Sequence, residues 1–438
     1  MAMVVKNNMS ALSALNTLNT NTNALSKSLK KVASGMKINS AADDASGYAI
    51  SEKMRVNIRS LNQANANAQN GTSMMKVAEG AVSSTVEILK TMKEKAVNAA
   101  NDTNTDADRA TIQKELDQSI DQINDNANVT FNGQYLVDGS KSKGTKATTT
   151  AMTNISLNTG TSNTSAMTDL KSRSGDSLNI HSTDTVTISY VKDGKTVTSS
   201  MQVGSQQLDK VISKLTSGNL TITGAGTGSG VNSTIGFDGS GNTVYTASGE
   251  TGITISSSAS GVSGQIAGFT MYITDNTGAV NKSANAVLDA FDESIRAVNS
   301  SQDNSINMQV GAKAGQAIKV GLTDMKAVAL GLQGKNGDTV SVGTREKANA
   351  AINTFDSAIQ KALDQQTTIG AAMSRLEYTQ SNLTTASENV TAAESTIRDA
   401  DMAKEMTEYT KNNVLMQAAQ SMLSQANQSS SNALSLLQ

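Results

Sequence analysis

Toward the end of the chain, hydrophobic residues recur at intervals of seven: Ile369, Leu376, Leu383, Val390 and Ile397. Three places after each stands Ala372, Thr379, Ala386, Ala393 or Ala400. Large residues at one seam position and small ones at the other, with no proline between them, predict a long helix lying close along a partner helix. Past Asp399 and Asp401 the phase slips, and the pattern resumes as Met402, Met406, Tyr409, Met416, Leu423, Leu434 and Leu437. Asn413, Gln420 and Asn427 fill the intervening seam places. Amides and methionines define helix packing loosely, so this last segment is expected to be marginal alone and to need apolar partners outside its own domain.

The other end of the chain has a matching pattern. Leu18, Thr22, Leu25, Leu29, Val32 and Met36 are spaced 4-3-4-3-4, a second seamed helix from about residue 10, and the two terminal helices are natural partners. After Asn39-Ser40, the acids Asp43 and Asp44 head a third stripe of Met54, Ile58, Leu61, Asn65, Ala68, Thr72, Met75, Val82, Val86 and Leu89. Run to about Asn98 at ~1.5 Å per residue, that helix is roughly 80 Å long. Thr105, with Asp108 three places on, predicts the N-cap of a return helix striped by Ile112, Leu116, Ile120 and Ile123. Thr344-Arg345-Glu346 opens the final long helix, with Ala351, Phe355, Ala358, Ile359 and Leu363 on one side.

Between these helical halves the composition turns to Gly, Ser, Thr and Asn. Val186 to Tyr190 alternates with period two and is followed by Asp193-Gly194, which predicts a β-hairpin. Further strands are expected over 220–223, 243–246, 252–255 and 268–274, short helices over 206–215 and 284–298, and a strand-like passage over 306–320. The predicted fold class is α+β and nested: a long antiparallel helical bundle or coiled coil formed by both chain ends, carrying an inserted β-rich outer domain. The expected domains are 1–42 with 402–438 as terminal helices, 43–140 with 303–401 as a surrounding helical domain, and 141–302 as a surface-exposed insert.

Composition narrows the function classes. With 36 basic and 38 acidic side chains, and no long run of one sign, a nucleic-acid or anionic-membrane partner has no electrostatic support. There is no cysteine, hence no disulfide, thiolate metal site or cysteine nucleophile. The N-terminus lacks the features of a cleavable secretory signal, and no apolar run reaches membrane-span length, so the expectation is a cytosolic protein or export by another route. Absence of proline removes slow cis/trans steps, which suits a chain unfolded and refolded during delivery.

The motifs then point to a family. The run from Ser34 to Ile50 (SGMKINSAADDASGYAI) resembles the S-G-x-x-I-N-x-A-x-D-D-A-x-G-x-A-I signature of bacterial flagellin. So do Ile397-Arg398-Asp399-Ala400-Asp401-Met402-Ala403, Gln425-Ala426-Asn427-Gln428 and Leu434-Ser435-Leu436-Leu437. Phe131-Asn132-Gly133 and Gln309-Val310-Gly311-Ala312 are similar to the family's helix-to-strand joints. These motifs cover roughly 1–140 and 303–438; the insert matches nothing. The resemblance implies a helical homopolymer for swimming motility. It also implies export unfolded through the flagellar type III apparatus, an export chaperone on the C-terminal segment, and a filament cap. Leu18, Leu25, Leu29, Val32, Met416, Leu423, Leu434 and Leu437 are the expected polymerisation contacts. Met54, Ile58 and Leu61, with the five heptad residues from Ile369 to Ile397, are the expected bundle seam.

Two departures accompany the resemblance. Ser429-Ser430-Ser431 stands where many members have a proline, and assembly is expected to tolerate that. The stretch aligned with the family's Toll-like receptor 5 patch reads Lys90, Thr91, Met92, Lys93, Glu94, Lys95, Ala96, Val97, with Glu115 on the neighbouring helix. Thr91 and Lys95 replace an arginine and a leucine, which implies weakened receptor activation.

Catalysis has little to stand on. His181 is the single histidine and reads as a surface residue, so a zinc-protease H-E-x-x-H helix is excluded. Gly224, Gly226, Gly228 and Gly230 lack a phosphate-loop offset and read as a flexible loop. Asp43-Asp44 and Asp399 with Asp401 are accounted for as helix starts and turns. No cofactor or metal is expected. The competing readings are a hook-filament junction protein, or a filament subunit whose insert has an adhesive role of its own.

Overall fold

The computed structural model describes residues 8–223, 234–246 and 252–435. Among them the helices are α1 (Met9–Ser34), α2 (Ala45–Ala99), α3 (Asp106–Ala127), α4 (Leu208–Leu215), α5 (Lys282–Leu288), α6 (Ala327–Leu330), α7 (Arg345–Arg398) and α8 (Met402–Ser435). The strands are β1 (Thr130–Phe131), β2 (Gln134–Tyr135), β3 (Ala151–Asn154), β4 (Thr185–Lys192), β5 (Lys195–Gln202), β6 (Leu220–Thr223) and β7 (Thr234–Phe237). They continue with β8 (Thr243–Tyr245), β9 (Ile253–Ser257), β10 (Ile266–Thr274), β11 (Asp292–Ile295), β12 (Ile306–Gln309) and β13 (Ala317–Val320). Leu437 and the four alternating glycines lie outside the described residues, as does the side chain of Leu434.

Two compact units are formed. The first comprises Met1–Ala68, Gln309–Gln316 and Tyr378–Gln438; the second comprises Gln69–Met308 and Ala317–Glu377. In the first unit α1 pairs with α8, and the early part of α2 runs antiparallel to the late part of α7. Leu61, Ala64 and Leu383 form a small apolar cluster there, with Ala386 and Val390 against it. Asn65 Nδ2 donates to Thr384 Oγ1 at 3.2 Å and Ser387 Oγ to Asn62 Oδ1 at 2.9 Å, so rising numbers on one helix meet falling numbers on the other.

The second unit holds most of the core. Met75, Val82, Leu89 and Met92 of α2, Leu116, Ile120 and Ile123 of α3, and Phe355 and Ile369 of α7 are all buried. Thr105 caps α3 reciprocally with Asp108, as its spacing predicts. Arg109, 8% exposed, donates to the Ala99 and Asn101 carbonyls at 2.9 and 3.1 Å and so satisfies the end of α2.

The inserted region has its own core between a three-stranded sheet, β10-β4-β5, and a four-stranded one, β11-β3-β9-β6. The hairpin predicted at Asp193-Gly194 is the β4–β5 turn, with both residues at positive φ. Its tip meets the loop after α6: Lys335 N donates to Asp193 Oδ1 at 3.0 Å, and a Cβ on Gly334 would overlap the Asp193 carbonyl. Only glycine permits that approach.

One sequence expectation is corrected and two are made specific. The helix expected over 284–298 stops at Leu288, and Asp292–Ile295 is β11, because pairing with β3 satisfies its backbone and buries Ile295. The passage over 306–320 is two strands, β12 and β13, paired with each other. The slip of phase near Asp399 and Asp401 is an actual break between two helices.

Candidate assembly surface

The two motif stretches at opposite ends of the chain form one joint. Met36 bridges Asp399, Lys37 N donates to Arg398 O at 2.8 Å, and Ala400 N donates to Gly35 O at 2.9 Å. Gly35, in the left-handed conformation at φ 70, ends α1. Asp43 Oδ2 accepts from the Asn39 and Ser40 amides at 3.1 and 3.0 Å. Desolvation is the largest single influence and raises the Asp43 carboxyl, but these bonds, the Ser40 hydroxyl and the Lys30 charge together outweigh it and leave its pKa lowered. Asp44 Oδ1 accepts from the Ser46 and Gly47 amides, both at 3.0 Å, at the start of α2. A Cβ on Gly47 would lie 2.5 Å from Asp44 Oδ2 and 2.8 Å from Ile38 Cδ1, so glycine lets these two side chains close on the start of α2.

Arg398 locks this joint. Its side chain is 6% exposed, donates to Glu52 Oε1 at 2.6 Å and stacks over the Tyr48 ring with 5.4 Å to the centroid. The Arg398 guanidinium, through that hydrogen bond, holds the Glu52 carboxyl below its ordinary value of 4.5. A depressed carboxylate pKa contributes stability that is complete above the ordinary value and lost as pH falls through the lowered one. Glu52→Gln is therefore expected to flatten the acid loss of stability of the first unit, measured by melts from about pH 6 to about pH 3.

Beyond the joint, α1 and α8 run antiparallel. Asn8 Nδ2 donates to Ala426 O at 3.1 Å, Asn21 Nδ2 to Leu415 O at 3.2 Å, and Asn412 Nδ2 to Ser28 Oγ at 3.0 Å; Lys31 pairs with Glu405 at 3.4 Å. Leu18, Leu25, Val32, Met416 and Leu423 are half-buried. Leu29, placed in the seam by its spacing, is exposed; Ser28 takes its place, and Ala419 rather than Gln420 is buried on α8. Small residues let the two backbones come close. A seven-residue reading cannot separate neighbours such as 28 and 29, because a straight helix drifts against it.

The pair leaves much apolar surface open. Met9, Leu12, Leu15 and Leu29 on α1 and Met402, Met406, Val414, Leu415 and Met422 on α8 are 42–70% exposed. Two open grooves of ≈ 600 Å³ run along it. One is lined by Met9, Ala14, Leu415, Ala418, Ala419 and Met422, the other by Met406, Thr410, Lys411, Val414 and Leu415. Large apolar side chains left open beside such grooves mark a contact surface. Val414, Leu415, Met422 and Met9 were missed by the seam pattern; for Leu415 and Met422 the signal is a second stripe, one position before Met416 and Leu423.

Ile369 and Leu376 are fully buried in the second unit; Leu383, of the first unit, is 8% exposed. Val390, Ile397, Met54 and Ile58 are half-buried, and Ala393 is exposed, so its small side chain marks no close approach. Lys90 pairs with Glu87 at 2.7 Å, Lys93 with Asp356 at 2.5 Å and Lys95 with Glu115 at 2.9 Å, while Thr91 and Glu94 are exposed. His181 lies on the surface, its side chain 75% exposed beside Asp184. Among the described residues no group of three or more His, Cys, Asp or Glu is placed to hold a metal, and no helix is long and apolar enough to cross a membrane.

The family region described as bacterial flagellin N-terminal helical region matches residues 5–142, and the bacterial flagellin C-terminal helical region matches residues 352–437. The flagellin of Clostridium tyrobutyricum is 36% identical over 97% of this chain and 99% of its own length. The flagellin of Bacillus subtilis (strain 168) is 30% identical over 99% of this chain and 100% of its own. The flagellar filament 31.3 kDa core protein of Treponema maltophilum is 28% identical over 100% of both.

Proposed function

Because this chain belongs to the bacterial flagellin family, and so is a structural subunit that self-polymerises into the flagellar filament, we propose that its lattice contact is the apolar stripe left open on α1 and α8. The observation that carries this is the exposure of nine large apolar side chains on those two helices, with Met422 at 67%. Two paired helices are too small a body to bury them, and a second copy with the same stripe supplies the missing surface. Leu18, Leu25, Val32, Met416 and Leu423 orient the pair, while Leu29 belongs to the outward contact; Leu437 and the side chain of Leu434 lie outside the described residues. In the filament, 1–42 with 402–438 form the innermost layer, 43–140 with 303–401 surround it, and 141–302 face outward. Electron microscopy of protein grown from short seeds tests this, with removal of α8 expected to leave the material dispersed.

Outside the cell, where flagellar filaments work, the finer partners follow the same reading. The chain passes unfolded through the flagellar export apparatus, with a chaperone on the α8 segment and a cap directing addition. Toll-like receptor 5 is engaged weakly. Lys95, standing for a leucine, removes an apolar anchor and draws the Glu115 carboxylate into an ion pair, and Lys93 is drawn to Asp356. The double variant Lys95→Leu, Thr91→Arg is expected to raise receptor activation in a reporter-cell assay by roughly tenfold, the worth of ~1.4 kcal/mol. Equal potency of variant and parent would remove the patch from the account.

A further inference from the structure

Among the described residues four methionines are exposed, and all four lie on the terminal pair: Met9 on α1 and Met402, Met406 and Met422 on α8, at 43–70%. In the second unit Met74, Met201 and Met373 are half-buried, and others are closed off altogether. Met75, Met92, Met167 and Met271 are wholly buried, with none of their surface in contact with solvent. Met9 and Met422 flank one groove of the open stripe, and Met406 lines the other. A thioether is apolar and adaptable, which suits a surface that packs against another copy, but it is also the side chain there that an oxidant converts into something polar.

We propose that Met9, Met402, Met406 and Met422 are oxidation sites whose conversion to sulfoxide stops subunit addition. The inference rests on the reading of the open stripe as the lattice contact. The oxidant is a peroxide. The methionine sulfur uses a lone pair to form an S–O bond as the O–O bond breaks; sulfur is oxidised by two electrons and hydrogen peroxide is reduced to water. The product carries a strong acceptor oxygen into an apolar contact in which some of the neighbouring polar groups are already engaged. Thr17 Oγ1 already donates to Ser13 O at 3.0 Å and Asn21 Nδ2 to Leu415 O at 3.2 Å. Each sulfoxide buried without a donor raises the concentration needed for growth about tenfold. Once a subunit is in the lattice its stripe is covered, so free subunits oxidise faster than filaments. Because reductases of two stereospecificities reverse both epimers, the block is reversible.

The test treats full-length subunits and finished filaments with dilute hydrogen peroxide, maps sulfoxides by peptide mass spectrometry, and measures the critical concentration for growth from untreated seeds. The four methionines are expected to oxidise before Met75, Met92, Met167 and Met271 and more slowly in filaments. Growth of treated subunits should then need at least tenfold more protein and recover after treatment with both methionine sulfoxide reductases. The variant Met9→Leu, Met402→Leu, Met406→Leu, Met422→Leu keeps apolar volume and should grow normally with or without peroxide. If that variant does not grow, the reductase recovery of wild-type protein decides the matter. Wild-type subunits carrying all four sulfoxides that grow at the untreated concentration overturn the proposal while leaving the lattice reading intact. Untreated subunits that fail to grow from seeds overturn the lattice reading itself.

Discussion

Met422→Asp is expected to abolish filament growth at concentrations where the parent protein grows, while the free subunit keeps its helix content. Met422 is 67% exposed on α8, so a carboxylate there costs the isolated chain little, within about 0.5 kcal/mol. In the lattice the same carboxylate would be desolvated. The groove it occupies is lined by Met9, Ser10, Ser13, Ala14, Thr17, Asn21, Leu415, Ala418 and Ala419, none of them charged, so this side of the contact offers no cation to pair with it. An unpaired charge taken from water costs several kcal/mol, and ~1.4 kcal/mol is a factor of ten, so the critical concentration should rise by at least ~100-fold. Phe237→Asp is the control. Phe237 is as exposed, at 65%, but sits on β7 in the insert, and growth should be unaffected. Filaments from Met422→Asp at the parental concentration would remove the open stripe from the assembly account.

The second large effect lies in the other unit. Phe355→Ala is expected to destabilise it by about 3–5 kcal/mol, the usual cost of deleting a buried ring and leaving a cavity. Phe355 is fully buried on α7, one of five phenylalanines in a chain with 3% aromatic residues, and the neighbouring stripe positions Ala351 and Ala358 are too small to fill the space. Differential scanning calorimetry should show the main transition lowered by roughly ten degrees, at ~2–4 degrees per kcal/mol for a domain of this order. Below that transition, seeded growth should persist, because the substitution leaves α1 and α8 untouched. The two variants thus separate folding from assembly: one unfolds early and still polymerises in the cold, the other folds normally and does not polymerise.

The repeating apolar pattern was enough to locate the long helices. Leu116, Ile120 and Ile123 are buried where their 3.6-residue stripe places them, Thr105 caps where its spacing to Asp108 says it should, and Asp193-Gly194 turns the hairpin it predicts. The signature residues were legible as a family mark, but not as a mechanism. The matched seams predict that both chain ends return to one place, but not that Met36 meets Asp399 or that Arg398 reaches Glu52 and Tyr48. The segment from Asp292 to Ile295 reads as helix in the sequence, because its strand character comes from a partner, β3, lying far away in the chain.

What the sequence by itself determined is therefore periodic and local: which stretches are helical, where they begin, where the β-rich insert interrupts them, and which family the chain resembles. These rest on interactions between residues three or four apart, or on a turn of two residues, and are written wherever those neighbours are. Which side of α1 and α8 is spent on each other, and which is left over, only the tertiary structure decided. Ser28 and Ala419 are small enough for the two backbones to close on that side, and this turns Leu29, Val414 and Met422 outward. The choice between adjacent stripes is a matter of shape between two helices, and a one-dimensional pattern with a period near 3.5 fits both.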